Sequence, residues 1–193
     1  MDTSNTTMLV LVAVLFLVIG ALLALAFNRF QRTKRLRERF GPEYDHTVDR
    51  MGDKRQAEDE LERRLAHVKN LNIRTLTAEE VNRFALEWQA TQAEFVDRPL
   101  AAVQKANRLI REVMIARGYP VEDFEQRVAD ISVDYPDLVT NYRELREIAQ
   151  KGEREKISTE EMRQAMVHGR DLFEKLVQPE TKVEETNQEE PVR

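Results

Sequence analysis

The chain has 193 residues, of which 41% are hydrophobic and none is cysteine, and its net charge is −5. The lack of cysteine excludes disulfide scaffolds, thiol nucleophiles and thiolate metal sites. The charge is unevenly divided, because residues 28–40 hold six basic residues and one acidic residue whereas residues 41–193 hold 24 basic and 33 acidic residues. An acidic soluble part lacks the positive surface that nucleic-acid binding requires, so we expect no nucleic-acid partner.

A single uncharged stretch, residues 8–27, follows a short N-terminal tail, residues 1–7, and all of it is apolar except Gly20. A helix of that length reaches about 30 Å, which is the thickness of the hydrocarbon core of a bilayer. The stretch therefore predicts a transmembrane helix. The alternative is a signal peptide cleaved near Ala26, because Ala24-Leu25-Ala26 has the small-x-small form of a cleavage site. Against cleavage, the tail has no positive residue and the apolar run is long for a signal peptide.

A basic juxtamembrane segment, residues 28–40, follows the span, and no basic residue precedes it. Basic residues beside a span are retained on the cytoplasmic side, so we expect a single-pass protein of the cell membrane with its N-terminus outside and its soluble domain in the cytoplasm. The same residues are candidates for contact with anionic lipid headgroups. They are Arg29, Arg32, Lys34, Arg35, Arg37 and Arg39.

Gly41-Pro42 predicts a joint after the basic segment, because proline has no amide donor and disfavours helix in the residue before it. Apolar residues then recur at three- and four-residue steps from residue 43 to residue 70. We predict a long polar helix there, with a possible interruption at Gly52, that stands as a stalk or pairs with one partner, which leaves self-association through residues 43–70 open. Residues 41–76 are thus assigned to the stalk and a connection.

Residues 77–177 predict a bundle of about five helices. Thr77 to Glu80 and Ser158 to Glu161 each fit a capping box, which marks the start of a helix. Pro99 suits the first turn of another helix, and Gly118 suits a left-handed helix end. The tail, residues 178–193, has two prolines and five glutamates and almost no apolar residue, so we expect it to be disordered. No strand is expected, and the predicted fold class is all-α.

Candidates for catalysis or metal binding are weak. The three histidines, His46, His67 and His168, lie in different predicted helices, and no HExxH motif is present. An acidic group, Asp123, Asp130, Asp134 and Asp137, lacks the spacing and central glycine of a calcium loop, and Asp134 is expected to cap a helix. Glycine-rich phosphate loops and nucleophile elbows are also absent. We therefore expect no enzymatic activity, no cofactor and no bound metal.

The stretch from Tyr119 to Tyr135 is the densest run of tyrosine, proline and acidic residues in the chain. Part of such a run is expected to remain exposed between helices. If the domain has a surface for a protein partner, we expect it here. The candidate residues are Tyr119, Pro120, Phe124 and Tyr135.

Short sequences along the chain resemble a group of bacterial single-pass membrane proteins of unassigned function, found in actinobacterial and acidobacterial genomes. They are residues 40–44 (FGPEY), 117–121 (RGYPV), 124–127 (FEQR), 131–134 (ISVD) and 142–143 (YR). The resemblance covers nearly all of the chain after residue 28 and implies a bacterial source and a membrane-tethered helical domain. It implies no catalytic or binding residue.

Together these features predict a membrane-anchored adaptor without enzymatic activity, which binds a protein partner at the cytoplasmic membrane surface. Two alternatives remain open. One is a secreted or surface-exposed helical protein, cleaved near Ala26. The other is a sensor that binds a small molecule between helices.

Overall fold

A computed structural model describes residues 3–120, 123–152 and 156–178, and it describes side chains from Val14 onward. All regular elements within these ranges are helical, which confirms the predicted all-α class. In chain order they are α1 (Thr3–Phe40), α2 (Pro42–Met51), α3 (Lys54–Lys69), α4 (Ala78–Glu94), α5 (Pro99–Arg117), α6 (Phe124–Asp134), a short 3-10 helix (Pro136–Leu138), α7 (Val139–Lys151) and α8 (Thr159–Val177). Two compact units divide the chain, Met1–Val68 and Lys69–Arg193.

Helix α1 is one continuous helix that carries both the apolar stretch and the basic segment. The part of α1 with described side chains, Val14–Phe40, is long and apolar enough to cross a membrane. Its large apolar side chains from Val14 to Phe30 are exposed, whereas Leu36 and Phe40 are 2% and 0% exposed. The C-terminal end of α1 therefore belongs to a protein core. The part from Val14 to Phe30 has the apolar, exposed surface that is typical of a membrane span.

Two glycines with positive φ angles turn the chain after α1. Gly41 has φ 47° and precedes Pro42, which occupies the first turn of α2 as expected. Gly52 has φ 68° and ends α2 in the left-handed conformation. The joint at Gly41-Pro42 is thus confirmed, and the interruption at Gly52 is present.

In the first unit, α2 and α3 pack against the C-terminal end of α1. Its buried apolar residues come from all three helices and are Leu36, Phe40, Tyr44, Ala57, Leu61 and Val68. Of the two arrangements expected for this segment, a stalk or pairing with one partner, the contacts with α1 match pairing. The apolar residues of α2 and α3 are too few to form a core alone. Leu36 and Phe40 of α1 pack against them and complete the core.

The helices of the second unit begin where the sequence predicts. The capping boxes are both formed, since Thr77 accepts a hydrogen bond from the Glu80 amide and Ser158 accepts one from the Glu161 amide. Pro99 starts α5, and Gly118 ends it with φ 93°. Asp123 caps α6 by accepting from the Gln126 amide. The bundle of about five helices is confirmed as α4 to α8.

Helix α5 lies at the centre of the second unit and packs against α4, α7 and α8. Trp88 of α4 and Phe173 of α8 stack with their ring centroids 4.6 Å apart. Gly169 lets α8 approach closely, because a Cβ there would meet Leu145 at 3.2 Å and Trp88 at 3.4 Å. One contiguous core therefore joins the helices of this unit.

Two expected features differ from the structure, and a third concerns residues that lie mostly outside the described ranges. The segment after Val68 belongs to the second unit, because the Arg74 amide donates to the Arg117 carbonyl at 2.9 Å. Asp134 is the last residue of α6 and not a helix cap, since its carboxylate accepts a hydrogen bond from the Tyr119 hydroxyl instead. The expectation of a disordered tail concerns residues 178–193, of which 179–193 lie outside the described residues.

Candidate functional site

A cluster of buried polar residues connects the three helices of the first unit. Glu58 of α3 is 6% exposed and accepts hydrogen bonds from Thr33 Oγ1 of α1 at 2.6 Å and from the Tyr44 hydroxyl of α2 at 2.9 Å. Lys54 Nζ lies 3.9 Å from the same carboxylate. Buried polar groups favour one arrangement when they are hydrogen-bonded, so this cluster fixes how α2 and α3 meet α1.

A second buried contact in this unit is the ion pair between Glu43 of α2 and Arg64 of α3. Arg64 Nη1 lies 3.0 Å from Glu43 Oε1, and the two side chains are 5% and 2% exposed. Thr47 Oγ1 lies 3.5 Å from the same Glu43 oxygen, and Arg64 Nε lies 3.3 Å from Glu60. A buried charge pair of this kind constrains the geometry of the two helices that carry it.

Tyr44 shows the effect of this environment on a titratable group. Burial and the hydrogen bond to Glu58 raise the pKa of the Tyr44 hydroxyl to about 12. Both effects favour the neutral phenol, because an ionised oxygen would be poorly solvated and would face a carboxylate. Tyr44 therefore remains a hydrogen-bond donor to Glu58 at all physiological pH values.

The six candidate residues for lipid contact fall into two groups. Arg32 contacts Asp59 at 2.6 Å and Glu62 at 2.8 Å, and Arg37 contacts Asp45 at 2.9 Å. Both arginines are therefore engaged within the protein. Arg37 is nevertheless exposed, and the other members also lie on the surface: Lys34 lies 3.8 Å from Glu38 in an exposed pair, and Arg29, Arg35 and Arg39 are exposed.

Of these surface residues, Arg29 and Arg35 make no ion pair within the described part of the chain. Their positive charge is not compensated by a neighbouring carboxylate. Lipid contact by Arg29, Lys34, Arg35 and Arg39 stays a prediction. Lipid contact by Arg32 or Arg37 would require that the arginine first break its ion pairs with Asp59 and Glu62, or with Asp45.

Self-association through residues 43–70 was expected to use the apolar positions of that segment. Tyr44, Leu61 and Val68 are at most 8% exposed in the first unit. Those side chains are already covered by α1 and by each other. A second copy would therefore have to use other residues of α2 and α3.

The second unit has a partly buried polar cluster, which we call the Arg117 corner: Arg74, Arg117, Tyr119, Asp134 and Tyr135. Arg117 and Tyr119 are buried, whereas Arg74 and Asp134 are exposed. Arg117 is 6% exposed, and its Nη1 donates to the Tyr135 hydroxyl at 2.8 Å while its Nε donates to the Arg74 carbonyl at 3.3 Å. The Tyr119 hydroxyl donates to Asp134 at 2.7 Å. Burial and the charge of Asp134 raise the pKa of Tyr119 above its ordinary value. The corner holds the segment before α4 against the ends of α5 and α6.

Within the proposed partner surface, the four residues are not equivalent. Tyr119 is 3% exposed and belongs to the core, so it cannot form part of an exposed surface. Phe124 is half-buried, with the Arg146 guanidinium 3.6 Å from its ring centroid, and Pro120 and Tyr135 are also half-buried. A role in partner binding stays a prediction for Pro120, Phe124 and Tyr135.

Two clefts between helices of the second unit are relevant to small-molecule binding. One lies between α7 and α8, has a volume of about 390 Å³ and includes His168, whose Nδ1 is 2.7 Å from Glu144. The other lies between α4 and α8, has a volume of about 540 Å³ and includes Trp88. Charged and amide side chains line much of both clefts. No group of three metal-binding side chains occurs among the described residues. The sensor hypothesis stays a prediction.

The buried charged residues were not found by sequence reasoning. Arg117 reads as an ordinary basic residue in the last turn of a helix, and Glu43, Glu58 and Arg64 read as parts of a solvated polar helix. Their burial depends on contacts with residues 14 to 43 positions away in the chain. Only the tyrosines beside them gave a local signal that these regions are unusual.

Comparison with known proteins adds no relationship. No protein-family model, curated protein or solved structure matches the chain.

Proposed function

We propose that the protein is a membrane-anchored adaptor without enzymatic activity, which holds its helical second unit at the cytoplasmic face of the cell membrane for a protein partner. The observation that carries the proposal is the continuity of α1. One helix contains the apolar stretch and also places Leu36 and Phe40 in the core of the first unit. The anchor is thereby built into a folded unit.

The same continuity favours an anchor over a cleaved signal. Ala24, Leu25 and Ala26 lie within α1, with no break on either side. Proteolytic cleavage favours exposed and irregular segments over regular helix. The basic residues that follow the span support the cytoplasmic orientation, because they resist translocation.

The second unit supports binding over catalysis. Its described residues contain no group of three potential metal ligands. Its two buried arginines make hydrogen bonds within the unit: Arg117 to the Tyr135 hydroxyl and Arg127 to the Tyr142 hydroxyl. The half-buried residues at the Arg117 corner, Pro120, Phe124 and Tyr135, are the proposed partner surface.

Site-specific photocrosslinking in intact cells tests the adaptor role. A photoreactive phenylalanine analogue is placed at Pro120 or at Asp137, which is exposed beside the corner, and a matched control is placed at Leu86, which is 66% exposed on α4. We expect one recurrent crosslinked protein from positions 120 and 137 that is absent from position 86. Equal products from all three positions, or none at the corner, would contradict a partner surface there.

A further inference from the structure

The contact between Arg32 and the two acidic residues of α3 has a special position relative to the proposed membrane surface. We call Arg32, Asp59 and Glu62 the clamp. Arg32 Nε and Nη2 donate to the two carboxylate oxygens of Glu62 at 2.9 and 2.8 Å, and Nη2 also donates to Asp59 at 2.6 Å. One guanidinium therefore holds two carboxylates of another helix.

Arg32 lies close to the end of the apolar stretch. Arg32 follows Phe27 by five positions, and at 1.5 Å per residue this is about 8 Å along the helix. That distance is within the Debye length of about 8 Å at physiological ionic strength. Asp59 and Glu62 are thus held where an anionic lipid surface would repel them and attract Arg32.

The clamp is also weakly protected from solvent. The side chains of Arg32, Asp59 and Glu62 are 28%, 59% and 48% exposed. Exposed ion pairs contribute little to stability, and the attraction of one basic residue to an anionic membrane is of comparable size. The buried contacts of Leu61, Glu58 and Arg64 in the same helix do not depend on the clamp.

We propose that the clamp senses anionic headgroups: a surface rich in anionic lipid competes with Asp59 and Glu62 for Arg32 and opens the clamp, so that the end of α3 beyond Glu62 tilts away from α1 while the buried Glu58 contact with Thr33 holds. The competing group is a phosphodiester whose negative charge no cation in the same headgroup balances, and the source to which we assign it is the anionic lipid headgroup. The inference rests on the proposed function, since it requires α1 to span a membrane with residues after Phe27 on the anionic side.

A distance measurement across the two helices tests the clamp. The chain has no native cysteine, so Gln31→Cys and Ala66→Cys introduce two exposed sites for spin labels on α1 and α3. The full chain is reconstituted in nanodiscs of phosphatidylcholine alone or with phosphatidylglycerol. We expect one narrow distance in the neutral lipid and an added longer distance in the anionic lipid.

Two variants separate the clamp from other ion pairs. Asp59→Asn with Glu62→Gln removes the clamp, so the longer distance should be present in both lipids. Asp45→Asn removes the Arg37 pair, which lies about 15 Å from Phe27 and beyond the Debye length, so it should respond to lipid as the wild type does. Identical distances in both lipids for the wild type, or an unchanged distance in the clamp variant, would overturn the proposal.

Two further measurements identify the competing group and show whether a negative result concerns the clamp or the membrane anchor. Inorganic phosphate added to neutral nanodiscs should leave the narrow distance unchanged, and a longer distance there would overturn the headgroup as the competitor. If the chain is extracted from membranes by alkaline carbonate, the proposed membrane anchor fails. If it remains inserted but its distances do not respond to lipid, the clamp alone fails.

Discussion

Gly118→Ala is expected to destabilise the end of α5 by about 2–5 kcal/mol, which combines left-handed strain with overpacking. Gly118 has φ 93°, which disfavours any residue with a Cβ. A Cβ would also lie 2.6 Å from the carbonyl oxygen of Asn72, so the backbone before α4 would have to move. That backbone is held by the hydrogen bond between the Arg74 amide and the Arg117 carbonyl.

Amide hydrogen exchange of the full chain measures this loss locally, because it reports on the opening free energy of each helix. Gly52→Ala is the matched control, since Gly52 also has a positive φ, 68°, but no atom lies within 4 Å of its Cβ position. We expect a loss of about 1–2 kcal/mol in α2 for that control, from strain alone. Gly118→Asn separates the two causes further, because asparagine tolerates the left-handed conformation but keeps the Cβ. Stability near the wild type for Gly118→Asn would contradict the close contact with Asn72.

Arg64→Met is the second substitution with a large expected effect, a loss of about 3–5 kcal/mol in the first unit. It removes the cation that lies 3.0 Å from Glu43, while the Glu43 carboxylate stays 2% exposed. A buried charge without its cation costs far more than the pair contributes when intact. Hydrogen exchange in α2 and α3 should show the loss directly.

The matched control is the double variant Glu43→Gln with Arg64→Met, in which no charge of the pair remains. Replacing both members of a buried pair by neutral side chains is often nearly neutral, so the double variant should recover more than half of the loss. The single variant Glu43→Gln completes the cycle and gives the coupling free energy. A double variant as unstable as Arg64→Met, or a loss below about 1 kcal/mol for Arg64→Met, would contradict a structural role for this pair.

Local signals in the sequence account for most of the helix boundaries. Capping boxes at Thr77 and Ser158, proline at Pro99 and glycine at Gly118 each depend on the chemistry of a few neighbouring residues. Such signals can be found without knowing the tertiary structure. For the same reason the turn after Gly41 could be predicted correctly.

The packing of the first unit could not be predicted in this way. Leu36 and Phe40 lie within the basic segment, residues 28–40. Because most of their neighbours are charged, the sequence does not indicate that these two side chains belong to a core. The short apolar clusters of α2 and α3 then appeared to have no partner, which favoured a stalk. Asp134 shows the same limit, because its contact with Tyr119 joins residues 15 positions apart and replaces the capping role that local sequence suggests.

The candidate sites were predicted only in part. The basic residues after the span were identified by charge, but the engagement of Arg32 and Arg37 depends on Asp59, Glu62 and Asp45 being brought beside them. At the Arg117 corner, composition drew attention to the tyrosines. Tyr119 is buried and Tyr135 only half-buried, and this difference depends on the position of Arg117. The sequence around Arg117 does not indicate that Arg117 is buried.

The most direct test of the central claim is the topology of the uncleaved chain. Single cysteines at Asn5→Cys and Gln89→Cys, in a chain without native cysteine, are treated with a membrane-impermeant maleimide in intact cells. We expect labelling of position 5 in intact cells, labelling of position 89 only after the membrane is opened, and a full-length mass in the membrane fraction. Labelling of position 89 in intact cells, or a soluble product that begins near Phe27, would contradict it.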